Sequence, residues 1–159
     1  QDNVVGGTPI TFVNTEMENL ATATIAQIKA GETVWFGNDV LEQMNRKDGL
    51  LDTSLYQLDA LFDVDLDMTK AERLSYHEAE VSHAMTITGV DLVVGQPTKV
   101  KVENSWGDEL GTKGYFVMSP EWFNEYTYEV VVRREFISAE LQAVADAPVE
   151  ILPAWDSLA

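Results

Sequence analysis

His83 and Asn104 are the residues whose type and placement could do chemistry. An imidazole takes up and gives back protons near neutral pH, so a histidine set beside a second polar group on a strand face needs a reason to be there. In His83-Ala84-Met85-Thr86-Ile87-Thr88 the side chains of 83, 85 and 87 share one face of a strand, because successive residues alternate. In Lys99-Val100-Lys101-Val102-Glu103-Asn104-Ser105-Trp106 the alternation is cleaner. Val100, Val102, Asn104 and Trp106 fall on one side; Lys99, Lys101, Glu103 and Ser105 fall on the other. Gly95-Gln96-Pro97 supplies turn residues between the two runs, so they are expected to form a hairpin that brings His83 to Asn104. Taken alone, a histidine heading a strand is more often a hydrogen-bonded structural residue than a catalyst. Trp106 reads equally well as an ordinary core side chain.

The elements that must position this pair can be read in order. Pro9 to Val13 alternates and is rich in strand formers. Thr15-Glu16-Met17-Glu18 has the spacing of a capping box, and Met17, Leu20, Ala21, Ile25 and Ile28 follow at helical intervals up to Gly31. Thr33 to Gly37 reads as a short buried strand. Asp39 is expected to cap a helix through Leu41, Met44 and Asn45 that ends at Asp48-Gly49. The acidic, leucine-rich stretch from Asp52 to Asp67 has no clean period and reads as a surface excursion with a short helix. Thr69-Lys70-Ala71-Glu72 is a second capping-box pattern. Beyond Trp106 come a polar loop to Gly114, a strand over Tyr115 to Met118, and a helix entered at Ser119-Pro120. A strand then runs from Thr127 toward Arg133, followed by a helix capped by Ser138. Prolines and apolar residues fill the tail from Asp146 to Ala159, and Ile151, Leu152 and Trp155 lie so close together that burial is expected.

Composition narrows the function. Ten basic residues against 27 acidic ones give a formal charge of −17, which argues against nucleic acid and anionic membrane as partners. The 159 residues suffice for one domain with a real core, no apolar run approaches a membrane span, and no secretory signal is visible. The aspartates at 59, 63, 65 and 67 lack the glycine and glutamate of a calcium loop. His77 lies six residues before His83, which places the two on different faces of a helix, so a metal-dependent hydrolase built on them has no recurring ligand spacing. No metal and no cofactor are expected.

The phrase Val102-Glu103-Asn104-Ser105-Trp106-Gly107, with His83-Ala84-Met85 before it and Gly114-Tyr115 after it, resembles the C-terminal half of papain-like cysteine peptidases. Four further phrases, Gly31 to Gly37, Lys70 to Leu74, Glu121 to Tyr126 and Ile151 to Asp156, are similar to the bleomycin hydrolase and bacterial aminopeptidase C branch, and the likeness covers nearly the whole chain.

The resemblance implies an α+β fold, the C-terminal half of a papain-like domain over residues 1–145, with an antiparallel barrel-like sheet and peripheral helices. It implies an arm over 146–159 that enters the active-site cleft. His83 would be the partner of a cysteine thiolate, Asn104 would orient the ring, and Trp106 would shield their hydrogen bond from water. Phe36, Gly37 and Asn38 would line a substrate wall. The carboxylate of Ala159 would meet the free α-ammonium of a peptide.

The same resemblance implies a cytoplasmic aminopeptidase assembled as a homohexamer. Yet the chain has no cysteine. In papain-like enzymes the nucleophile precedes the histidine and asparagine by about 130 to 150 residues, so the sulfur and the oxyanion donors are expected in a missing N-terminal half. The chain, which begins at Gln1, reads as a fragment or processed product that is inactive by itself. The alternative is a non-catalytic papain-like module that binds peptides or partner chains.

Overall fold

A computed structural model of the protein describes residues 5–153, 155 and 156. At its centre, β4 (His83–Val93) and β5 (Gln96–Glu103) form the expected antiparallel hairpin, with Ile87 opposite Val102. The turn itself is Val94-Gly95, one step earlier than Gly95-Gln96-Pro97. Both residues have positive φ, 51° and 83°, the geometry whose twist matches that of paired strands. Gln96 and Pro97 already belong to β5.

Around the hairpin runs a seven-stranded curled sheet. Its other strands are β1 (Val34–Asn38), β2 (Met44–Asn45), β3 (Leu50–Leu51), β6 (Tyr115–Met118) and β7 (Thr127–Val131), in the order β2-β3-β6-β5-β4-β1-β7. All neighbours are antiparallel except β3 and β6, which run parallel. That departure from a wholly antiparallel sheet is fixed by Val117 N–H donating to Gly49 O at 2.8 Å and Ser119 N–H donating to Leu51 O at 2.9 Å. It also requires glycines where the loops touch, since a β-carbon on Gly49 would lie 2.6 Å from Gly111 Cα.

The inner face of the sheet supplies the core. Val34, Phe36, Ile87, Val102, Met118 and Trp122 are buried there, and Met17, Leu20, Ala21 and Ile28 of α1 (Met17–Lys29) pack against them. The helix closes as read. Gly31 takes φ 88°, its N–H donates to Ile28 O, and Glu32 N–H donates to Gln27 O, a double bond pattern that needs the left-handed residue. Its start differs from expectation. Glu16 is the N-cap without a side-chain bond, because the Thr15 hydroxyl instead accepts from Asn19 Nδ2 at 2.7 Å.

The second capping box does form. Thr69 and Glu72 satisfy each other's backbone at the start of α3 (Lys70–Ser75). The acidic excursion carries the short α2 (Leu58–Phe62), while α4 (Pro120–Tyr126) and α5 (Ala139–Ala145) are capped by the Ser119 and Ser138 hydroxyls.

Three expectations are corrected. Residues 9–13 join no strand, and Ile10 and Phe12 stay exposed, because strand propensity needs an edge to pair with. No helix follows Asp39; the chain turns into β2. The Asp39 carboxylate is committed elsewhere, accepting from Ser82 Oγ at 3.1 Å and Glu80 N–H at 3.2 Å. In the tail, Ile151, Leu152 and Trp155 are exposed, so the burial expected of them is not made against the described residues.

Candidate active site

The hairpin brings together the residues that its alternation singled out. His83 opens β4 opposite Asn38 of β1, and Asn104 follows the last residue of β5. The His83 Nε2 atom lies 3.0 Å from Asn104 Oδ1. An amide oxygen only accepts, so Nε2 carries the hydrogen, and in the neutral ring Nδ1 is left as the proton acceptor. Asn104 is itself held: its N–H donates to Gly114 O at 3.1 Å, and its Oδ1 also accepts from Ser105 N–H at 2.7 Å. With the side chain only 8% exposed, the bond is made away from bulk water, where it is stronger.

Trp106 covers the pair. Its ring stacks on His83 with centroids 4.7 Å apart and planes 26° from parallel, and it also meets Phe116 edge-on. The backbone just before the histidine is pinned as well. Ser82 N–H donates to Asn38 O, and Val40 N–H donates to the Ser82 hydroxyl that Asp39 also holds. Asp39 is therefore a brace for the start of β4, a role its sequence context did not suggest.

Of the three residues expected to line a substrate wall, Phe36 and Asn38 are fully buried in this chain. Phe36 has no exposed surface and belongs to the core. Asn38 is equally buried, donating from Nδ2 to Phe36 O at 3.5 Å. Strand alternation turns both inward with Val34. Gly37 faces the other way but is covered, because a β-carbon there would lie 2.5 Å from Glu129 Oε1 and 2.9 Å from Val81 Cγ1. Glu129 lies opposite Gly37 on β7, and burial pushes its carboxyl up from the ordinary value. Ala159 lies outside the described residues.

Two further features were invisible in the sequence. Arg46, in the turn between β2 and β3, sets its guanidinium carbon 4.7 Å from the centre of the Trp106 ring. Lys70 is drawn inward to donate from Nζ to Asn124 O at 2.8 Å and to Thr127 O, and burial pushes it down to about 8. Among the described residues no group of three or more His, Asp or Glu side chains is placed to hold a metal ion. His77 lies two residues past the end of α3, with φ 57°.

Chemically, this arrangement can act as one half of a proton-transfer site. The ring is oriented by an amide and covered by an indole, and one nitrogen is left to take a proton from a nucleophile and return it to a leaving group. No cysteine among the 159 residues can be that nucleophile.

Comparison with known proteins gives this geometry its context. The chain is 57% identical over 159 residues to aminopeptidase E of Lactobacillus helveticus, covering 100% of this chain and 36% of that protein. It is 48% identical to aminopeptidase C of Lactobacillus delbrueckii subsp. lactis, covering 98% of this chain and 35% of that one. The crystal structure of PepW from Lactobacillus rhamnosis HN001 superposes with a TM-score of 0.92 at 50% identity, over 98% of this chain and 35% of that chain. The chain thus spans about a third of the length of the curated relatives it matches. A model of the Peptidase C1-like family matches residues 1–159 throughout, and the chain belongs to that family.

Proposed function

We propose that this chain is the histidine- and asparagine-bearing portion of a cysteine aminopeptidase that removes N-terminal residues from peptides. The observation that carries the reading is the His83 Nε2 to Asn104 Oδ1 bond of 3.0 Å under the stacked Trp106 ring. The relatives' names, aminopeptidase E and aminopeptidase C, support it.

The sulfur comes from a cysteine outside these 159 residues. His83 in its cationic form stabilises the thiolate. The thiolate attacks the peptide carbonyl, and His83 Nδ1 delivers its proton to the departing amine as the carbon–nitrogen bond breaks. A thioester is left. His83, now neutral, takes a proton from water as the water attacks the thioester; the carbon–sulfur bond then breaks, the acid leaves, and the pair of thiolate and cationic His83 is restored. Asn104 keeps the ring's other nitrogen engaged throughout, so one rotamer serves both proton transfers.

The C-terminal arm supplies end selection in this reading. The Ala159 carboxylate would attract the substrate's α-ammonium, and a substrate lacking that charge would lose the contact. A cytoplasmic homohexamer with enclosed sites is the assembly that the aminopeptidase C likeness implies.

The test uses the complete cysteine-bearing enzyme. Replacing His83 by alanine should lower turnover of an unblocked dipeptide by at least about 10²–10⁴-fold while far-UV circular dichroism stays unaltered. Removing the last few residues should admit N-acetylated peptides. Activity retained in His83→Ala would remove the histidine from the mechanism and leave a peptide-binding module as the reading.

A further inference from the structure

Resting on the aminopeptidase reading, we infer that Arg46 is a carboxylate-binding residue for the departing part of the substrate, which its guanidinium receives from beside Trp106. Two contacts of 4.7 Å each, His83 to Trp106 and Trp106 to Arg46, separate the imidazole from the guanidinium. That span is at most the reach of about three extended residues. The leaving peptide begins at the nitrogen that His83 protonates, so a carboxylate one to three residues further along can meet Arg46.

The position is built. Asn45 Nδ2 donates to Asp48 Oδ2 at 2.8 Å, Asp48 N–H donates back to Asn45 Oδ1 at 3.1 Å, and Gly49 N–H donates to Asn45 O. Gly111 N–H anchors the same turn through Lys47 O at 3.1 Å. The backbone of Arg46 is therefore fixed on both sides, and its side chain lies on the indole face, an arrangement that suits guanidinium better than ammonium.

Charge makes the placement informative. The chain carries 27 acidic and ten basic residues, yet Arg46 forms no ion pair among the described residues, where the salt-bridged arginines are Arg73, Arg133 and Arg134. An arginine without an ion pair, held against the ring that covers His83, is available to an incoming anion. A guanidinium presents two parallel N–H groups to a carboxylate. The ligand class is a carboxylate one to three residues from the scissile bond, supplied either by the C-terminus of a short peptide or by an acidic side chain of a longer one.

The experiment compares trialanine, trialanine amide and Ala-Asp-Ala amide as substrates of the complete cysteine-bearing enzyme, with the Arg46→Ala and Arg46→Lys variants. For the wild type, kcat/KM for trialanine should exceed that for its amide by about tenfold, in line with a charge-assisted hydrogen bond. The difference should lie in KM and shrink with added salt. In Arg46→Ala the ratio should fall to about one, and Arg46→Lys should recover part of it. If Ala-Asp-Ala amide matches trialanine, side-chain carboxylates are also received; if it matches trialanine amide, the C-terminus alone is.

A wild-type ratio near one, a ratio kept in Arg46→Ala, or equal losses on acid and amide would overturn the assignment. Dialanine binding by calorimetry to the enzyme whose nucleophilic cysteine is replaced by alanine reads the same contact without turnover. An enzyme that binds dialanine through Arg46 but cleaves none of the three peptides would refute the aminopeptidase reading and leave the carboxylate site standing.

Discussion

The hairpin end and the C-terminal tail are both rich in residues that sequence reading marks as functional, but they are organised in opposite ways. At the hairpin end each group is held by another part of this chain: His83 by Asn104, Asn104 by Gly114, the residue before His83 by Asp39. In the tail Ile151 and Trp155 are 91% and 81% exposed. The difference teaches that side chains 21 residues apart can be pre-organised by one hairpin and its neighbours, whereas the tail's apolar side chains find no cover among the described residues of the same chain.

Two tryptophans sharpen this contrast most. Trp122 is fully buried and donates from Nε1 to Glu42 O at 2.8 Å, so Trp122→Ala should cost about 3–5 kcal/mol in urea unfolding. Trp155→Ala should cost within about 0.5 kcal/mol in the same chain. A large loss at Trp155 would mean that the tail is docked after all.

Next in size is the amide. Asn104→Ala leaves the ring free to turn, and a misplaced reacting group costs about 10²-fold. The loss should appear in kcat of the complete enzyme, and a change below about twofold would show that the imidazole needs no orienting partner.

The smallest effect concerns Lys70. Burial lowers it from 10.5 to about 8, so between those values the unfolded chain holds the extra proton and stability rises with pH. Replacing Lys70 by methionine should remove that rise, read as the difference between urea midpoints of the two proteins across the window. A difference that stays flat with pH would mean that the ammonium keeps its ordinary affinity for the proton.

Much of this was legible because it is local. Alternation over 99–106 gave the face that Asn104 and Trp106 share, and turn residues gave the hairpin. The same capping pattern occurs at Thr15 and Thr69, yet only Thr69 uses it, because Asn19 takes the first hydroxyl. That competition is one helical turn away and could have been weighed.

The absence of a helix after Asp39 could not have been read. Its carboxylate is drawn off by Ser82, 43 residues later. The burial of Phe36 and Asn38 was illegible for a related reason: the inward face of their strand depends on pairing with β4 and β7. Arg46 and Glu129 had no signal at all, since each acquires meaning only from a ring or a glycine on another strand.

The strand order carries a consequence for how the protein assembles. His83 and Asn104 are 21 residues apart and meet through a two-residue turn, whereas β1 must wait for β7, whose Thr127 pairs with Asn38. Closing a short loop costs less chain entropy than closing a long one. The imidazole and its amide are thus matched by the most local long strand pairing in the sheet, at a lower cost in chain entropy than the pairing of β1 with β7.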